Sequence, residues 1–303
     1  MRPTRFSLFH NAHNDVGQPD SRHDRVLIFG LAKSGTTALY TSICQALEKQ
    51  NPTQCFEPQS KSAFAAALAQ PGALVMKVLR RALIEIHDDT ELCVEVNRSI
   101  PHQIFLVRDV RDVVVSGLVY RLWNSERWDD ATVVEPWLEV LQRKQENPRS
   151  ISFCDLFFQA KGWMASTMEN PESPLVASLK HILHFEKLCQ RVLRYRYEDF
   201  VMGKVGDLEH YLGFSVPTQP TVPDELKRVN RTRGSGSWRH WFTPEDLPWA
   251  KNTLGPILET LGYAVDWELE DQPVIAPEHA QDYVRRILVQ KAELLGRSSK
   301  HSE

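Results

Sequence analysis

The sequence predicts a three-layer α/β fold: a central parallel sheet flanked by helices and carrying a helical cap. Three observations carry that expectation. Short apolar runs bounded by turn residues recur along the chain, as they do in buried parallel strands. Segments with apolar residues at helical spacing lie between them, and strand–helix alternation is the pattern of parallel βαβ units. A long central stretch is rich in aromatic residues among helical patterns and shows no clear strand.

Residues 1–24 read as a polar arm. The chain then enters Arg25-Val26-Leu27-Ile28-Phe29-Gly30, the first apolar run. Leu39, Ile43, Ala46 and Leu47 follow at helical spacing until Asn51-Pro52 stops the segment. Three more strand-like runs are Ala73 to Leu79, His102 to Arg108 and Val192 to Tyr197. Residues 118–190, with Tyr120, Trp123, Trp128, Trp137, Phe153, Phe157, Phe158 and Trp163, form the expected cap. Thr243-Pro244-Glu245-Asp246 is a helix start with proline at the first helical position, and Gly262 is its stop. Pro277 to Gly296 reads as a final amphipathic helix with Ala280, Tyr283, Val284, Ile287 and Leu294 on one face. No repeat or low-complexity linker divides residues 25–303, so one domain is expected.

Bulk properties narrow the function. A net charge of -3 and a pI near 6.4 argue against a long polyanion such as nucleic acid as the main partner, so any anion site must be local. Five cysteines, with no CxxC or Cys/His ligand spacing, suggest neither a disulfide framework nor a zinc site. No secretory signal pattern opens the chain, and no run of roughly 18 apolar residues could span a membrane. A soluble cytoplasmic protein is the expectation. Oligomeric state is not legible.

The turn after the first strand, Lys33-Ser34-Gly35-Thr36-Thr37, places a lysine, a glycine and three hydroxyls at a helix N-terminus. Backbone N–H groups there lack partners and the helix dipole adds about half a positive charge, so an anion fits. An ordinary strand-to-helix turn with a Ser/Thr cap has the same composition, and this turn alone decides nothing. In a Walker loop the lysine follows the second glycine; here Lys33 precedes Gly35.

The segment resembles the KxGTT loop of sulfotransferases that use 3′-phosphoadenosine 5′-phosphosulfate (PAPS). The resemblance implies a P-loop NTPase-like fold and sulfuryl transfer to a hydroxyl or amine. It implies that Lys33, Ser34, Gly35, Thr36 and Thr37 hold the phosphosulfate. Ala38-Leu39-Tyr40 is closer to the glycan-modifying branch than to the cytosolic phenol and steroid branch, whose tryptophan after the threonines stacks on adenine. Arg108-Asp109-Val110-Arg111-Asp112-Val113-Val114-Val115-Ser116 resembles the family's 3′-phosphate motif, with Arg108 and Ser116 as the grip and Val110 in place of the usual proline. Arg231 to Thr243 is similar to the late RKGxxGDWK loop. Arg231, then Arg233, and Gly234 are its expected cofactor contacts, with Thr232 and Arg233 replacing the usual Lys and Gly. Tyr197-Glu198-Asp199-Phe200 resembles the YEDL signature, whose tyrosine lies near the adenine.

The transfer needs a general base. The cytosolic branch uses the histidine of a KxH stretch, but Lys77, Val78 and Leu79 stand there. The glycan branch uses a glutamate beyond the loop, and Cys55-Phe56-Glu57-Pro58 matches its FEP segment, so Glu57 is the candidate base; an exposed loop glutamate is the plain alternative. His87 and His102 are titratable reserves. No metal is required, because Lys and Arg supply the charge that Mg²⁺ supplies in kinases. A P-loop kinase or NTPase and a non-catalytic nucleotide-binding relative are the competing readings. The acceptor, a carbohydrate or a small alcohol, is not named by any residue.

Overall fold

The computed structural model describes residues 24–164, 170–229 and 234–296. Five parallel strands form one sheet in the order β2-β3-β1-β4-β5. They are β1 (Arg25–Gly30), β2 (Thr53–Phe56), β3 (Leu74–Val78), β4 (His102–Val107) and β5 (Val192–Arg196). Every residue of β1 and β3 is buried, which is why these strands read as continuous apolar runs. The predicted strands match to within a residue or two.

β2 is a correction, because no strand was expected there. It is a four-residue edge strand, TQCF, without a fully buried position. Its two polar residues and its length erase the apolar run by which a central strand is recognised. Its position is set by pairing with β3, where Phe56 lies opposite Lys77.

Thirteen α-helices accompany the sheet among the described residues. They are α1 (Thr36–Ala46), α2 (Lys61–Leu68), α3 (Arg80–His87), α4 (Thr90–Ser99), α5 (Val110–Tyr120), α6 (Ala131–Glu146), α7 (Phe153–Trp163), α8 (Ser173–Leu188), α9 (Tyr197–Val201), α10 (Gly206–Leu212), α11 (Trp238–Trp241), α12 (Leu247–Thr260) and α13 (Gln281–Leu294). The described residues from Arg121 to Cys189 hold helices and no strand, as the aromatic pattern predicted.

Alternation along the strands divides the core in two. Val26, Ile28, Val75, Ile104 and Leu106 pack with Leu39, Tyr40 and Ile43 of α1 and with Phe200, Leu208 and Leu212 of α9 and α10. Leu27, Phe29, Met76, Val78 and Phe105 face the larger layer that includes Phe153, Trp238, Trp241, Leu254 and Tyr283. The sheet is thus the middle of three layers.

The helix start expected at Thr243 is present, as a capping box between Thr243 and Asp246 that opens a 3-10 turn (Pro244–Asp246) running into α12, and Gly262 follows its end with φ 77°. The face predicted for the last helix needs one change. Tyr283, Val284 and Ile287 are buried, but Leu288 and Ala292 continue the stripe and Leu294 is exposed. From Glu293 onward α13 outruns its packing partners. The polar N-terminal arm lies outside the described residues, apart from Asp24.

Candidate active site

β1 is central, and the connections leaving β1 and β4 start at the same sheet edge, beyond the carboxyl ends of the strands. Open α/β sheets bind ligands in that crevice. Here it is a cavity of about 450 Å³. Lys33, Gly35, Thr36 and Thr37 line it from the first turn, Glu57 from the end of β2, Lys77 from β3, Arg108 and Ser116 from the β4–α5 connection, and Tyr197 from the start of α9.

The first turn is shaped by close approach. Gly30 runs so near the Leu106 carbonyl oxygen that a Cβ would meet it at 2.5 Å. The Ser34 hydroxyl donates to the Leu31 carbonyl at 2.7 Å, and the Ser34 N–H reaches the same oxygen at 3.1 Å. Lys33 (φ 70°) and Gly35 (φ 91°) both take left-handed backbone. A Cβ on Gly35 would overlap the Tyr197 ring, so glycine is needed there on two counts. Gly35 is the N-cap of α1 and no side chain caps that end. The first N–H groups of α1 therefore point into the cavity with no acceptor from the helix.

Arg108 ties the turn to the rest of the site. Its guanidinium, 5% exposed, donates through Nη1 to the Lys33 carbonyl at 3.0 Å and through Nη2 to the Gly234 carbonyl at 3.2 Å. It lies 4.5 Å from the centre of the Tyr197 ring. Its Nε is buried and makes no hydrogen bond within the protein.

Asp112, fully buried in the first turn of α5, lies 4.0 Å from Arg108 Nη2. It accepts from the Gly236 N–H at 2.7 Å, the Ser237 hydroxyl at 2.9 Å and the Trp238 N–H at 3.0 Å. Glu198 performs a similar service from α9, accepting from the Asp109 N–H at 3.0 Å and the Tyr263 hydroxyl at 2.6 Å.

On the opposite wall, Lys77 Nζ donates to Thr37 Oγ1 at 3.0 Å and forms an ion pair with the Glu57 carboxylate. Burial holds the Lys77 pKa below the usual lysine value, and the neighbouring Glu57 charge opposes that shift in part. The Glu57 N–H extends the β2–β3 ladder by donating to the Lys77 carbonyl at 2.9 Å, and Glu57 itself has φ 49°. A non-glycine residue held in left-handed backbone marks a site the surroundings over-determine. Lys33 Nζ rests 3.4 Å from the centre of the Tyr120 ring, a cation–π contact.

A family model described as "Sulfotransferase domain" matches residues 23–248. The chain belongs to the sulfotransferase family. Among solved structures, one similar chain is the mouse sulfotransferase SULT7A1 complexed with PAP, at 16% identity over 81% of this chain and 87% of that chain, with a TM-score of 0.44. No curated protein matches the sequence.

For this sulfotransferase, most of the residues singled out in the sequence meet in one place. Ser34 is the exception in the first turn: its hydroxyl is spent on Leu31 and it does not line the cavity. Gly234 enters through its carbonyl, as an acceptor for Arg108. Arg231 and Arg233 lie outside the described residues. His102 begins β4 at the far edge of the sheet, edge-on to the Tyr211 ring, and does not line the cavity.

The sequence reading missed Asp112, Glu198 and the Lys77 bridge. Asp112 and Glu198 lay inside quoted motifs, and an acidic residue beside an arginine at a helix start was the available signal. The remaining walls come from the helical region: Tyr120, Arg121, Trp123, Asn124, Phe157 and Leu175 among others, with Arg228 from a 3-10 turn (Asp224–Val229). No helix among the described residues is long and apolar enough to cross a membrane.

The cavity lining is cationic at two places. The uncapped start of α1 and the Lys33 ammonium make one cationic end. The Arg108 guanidinium, with Ser116 on the following helix, makes the other.

Proposed function

We propose that this sulfotransferase moves the sulfuryl group of PAPS to a hydroxyl or amine of a carbohydrate or small alcohol acceptor, acting as a single domain from residue 25 to 303. The observation that carries the reading is that the Lys33 turn, Arg108, Ser116 and Glu57 all line one cavity rather than separate surfaces. PAPS would supply an activated sulfuryl group on its 5′-phosphate. The α1 N–H groups and Lys33 would hold that end and offset charge growing on the leaving phosphate oxygen. Arg108 and Ser116 would hold the 3′-phosphate, with Tyr197 beside them and Arg231 and Arg233 as further contacts.

Glu57 is the proposed base, accepting the acceptor's proton on its carboxylate. Lys77 supports that role in two ways. It fixes the carboxylate by an ion pair, and it joins Glu57 to the phosphosulfate loop through Thr37. This link also weighs against a non-catalytic relative, in which the base candidate would stand far from the loop. The order of Lys33 and Gly35 weighs against a kinase. Five free cysteines are in keeping with a reducing compartment such as the cytoplasm.

The test compares thermal shifts with PAP and with ATP, each with and without Mg²⁺. A ligand at 100 times its Kd stabilises by about 2.7 kcal/mol, so PAP at that level should raise Tm without metal. A shift with Mg·ATP alone would reverse the assignment in favour of a kinase. Lys33→Ala should weaken PAP binding. Glu57→Ala should spare PAP binding and cut turnover by about 10²–10⁴-fold; unchanged turnover removes Glu57 as base.

A further inference from the structure

The cavity extends beyond the residues assigned to the donor, and its far portion has a distinct chemistry. Tyr120 and Trp123 stack at 5.9 Å, and Phe157, Leu175, Leu79 and Val229 complete an apolar wall. Apart from Glu57, which Lys77 already pairs, no carboxylate lines the cavity among the described residues, and neither does a glutamine or histidine. A sugar ring buried there would find Asn124, Ser178 and the Tyr120 hydroxyl as its neutral polar partners against a largely apolar wall, and each hydroxyl left unpaired would cost about 1–3 kcal/mol.

The wall is nevertheless strongly cationic. Lys33, Lys77, Arg108, Arg121 and Arg228 face the cavity against that one carboxylate. Lys33 and Arg108 are assigned to the donor, and Lys77 to Glu57. Arg121 and Arg228 are the other two cations of the lining, each also held by contacts within the protein.

Arg228 lies 5.0 Å from the centre of the Trp123 ring. Its side chain hydrogen-bonds the Tyr120 hydroxyl, its Nη1 donates to the Glu225 carbonyl of its own turn, and its charge also reaches Lys77, so it stands with Tyr120 and Lys77 at the end of the cavity that holds the base. Its Nε is buried and makes no hydrogen bond within the protein. Arg121, 7% exposed, stacks 4.2 Å from the centre of the Phe157 ring on the cap side. Burial pushes its pKa down to about 10, the mark of a cation held in apolar surroundings. Guanidinium planes beside aromatic rings are built to receive a carboxylate at the end of a flat apolar body.

We infer that the acceptor is a small hydroxyl compound with an apolar, ring-sized body and a carboxylate or similar anionic group, which Arg228 and Arg121 hold while Glu57 faces the hydroxyl. This rests on the sulfuryl-transfer reading above. In the transfer, the bond from sulfur to the 5′-phosphate oxygen breaks and a bond from sulfur to the acceptor oxygen forms. The hydroxyl proton goes to Glu57 and PAP leaves; nothing is oxidised or reduced.

The test measures binding in the presence of PAP, and turnover with PAPS, for three probes: 4-hydroxyphenylacetate, its neutral counterpart 4-methylphenol, and cellobiose. 4-Hydroxyphenylacetate should be favoured over 4-methylphenol by about tenfold or more, the scale of one charge-assisted hydrogen bond. Arg228→Met should bring that ratio close to one, and Arg228→Lys should restore part of it. Equal use of the two phenols, preference for cellobiose, binding of none of the three, or a ratio that survives Arg228→Met would each overturn the inference while PAP binding still stands. Wild-type protein that fails to bind PAP sinks the transfer reading and this inference with it.

Discussion

Asp112→Ala is the substitution with the most calculable effect. The Asp112 carboxylate is fully buried and receives two backbone N–H groups and one hydroxyl from Gly236, Ser237 and Trp238, more than 120 residues further along the chain. Hydrogen bonds to a charged partner contribute about 1.5–3 kcal/mol each, and each buried donor left unsatisfied costs about 1–3 kcal/mol. The three bonds share one acceptor and are not additive. Breaking a buried charged cluster by removing one member costs about 3–5 kcal/mol, and that is the expected loss here. For a chain of this size it corresponds to a Tm lower by roughly 6–20 °C. Asp112→Asn keeps the shape and one acceptor oxygen and should lose about half as much.

The loss should also reach the donor site. Gly234, whose carbonyl receives Arg108 Nη2, stands two residues before Gly236. Releasing the segment leaves Arg108 with one hydrogen bond, to Lys33, beside its contact with the Tyr197 ring, so PAP affinity should fall by about tenfold or more, the equivalent of one lost hydrogen bond. Urea unfolding followed by circular dichroism gives the stability change, and calorimetric titration gives the PAP affinity. A stability change under about 1 kcal/mol together with unaltered PAP binding would refute the reasoning, because it would mean that the late loop is held by something other than this carboxylate.

Two further outcomes follow from the same geometry. Gly35→Ala must place a Cβ against the Tyr197 ring and keep φ near 91°; it should abolish PAP binding and cost about 1–2 kcal/mol from the left-handed backbone alone. Normal PAP titration would show that the turn is not shaped by Tyr197. For pH dependence, burial lowers the Lys77 pKa, so its ammonium is lost as pH rises through a value below the usual lysine range of about 10.4. The Glu57 pair goes with it. The alkaline limb of kcat/KM should therefore fall below that range and should move upward in Lys77→Arg, whose guanidinium stays charged; an identical limb in both proteins would clear Lys77 of that role.

Much of the candidate site could be read from the chain because its parts are local. Lys33 to Thr37 is a single turn, and Arg108 to Ser116 is a strand end and its helix. β1, β3 and β4 were visible because burial on both faces leaves a nearly unbroken apolar stretch, whereas β5, an edge strand with exposed Arg194 and Arg196, showed only a short run of strand-forming residues. β2 escaped because an edge strand is defined by its neighbour rather than by its own composition. Ser34 shows what residue type alone does not specify: its hydroxyl fits an anion loop by type, and folding turns it onto the Leu31 carbonyl.

The sequence by itself determined the central strands, the cationic turn at the start of α1 and the arginine after β4, because each is written in residues a few positions apart. Only the tertiary structure decided that Lys77 would join Glu57 to Thr37, that Asp112 would anchor Gly236 to Trp238, and that Arg121 and Arg228 would face one cavity with them. The reason is physical. Periodicity records which face a residue turns to the core, whereas the partner of a buried charge is chosen by packing between segments whose separation along the chain no local pattern encodes.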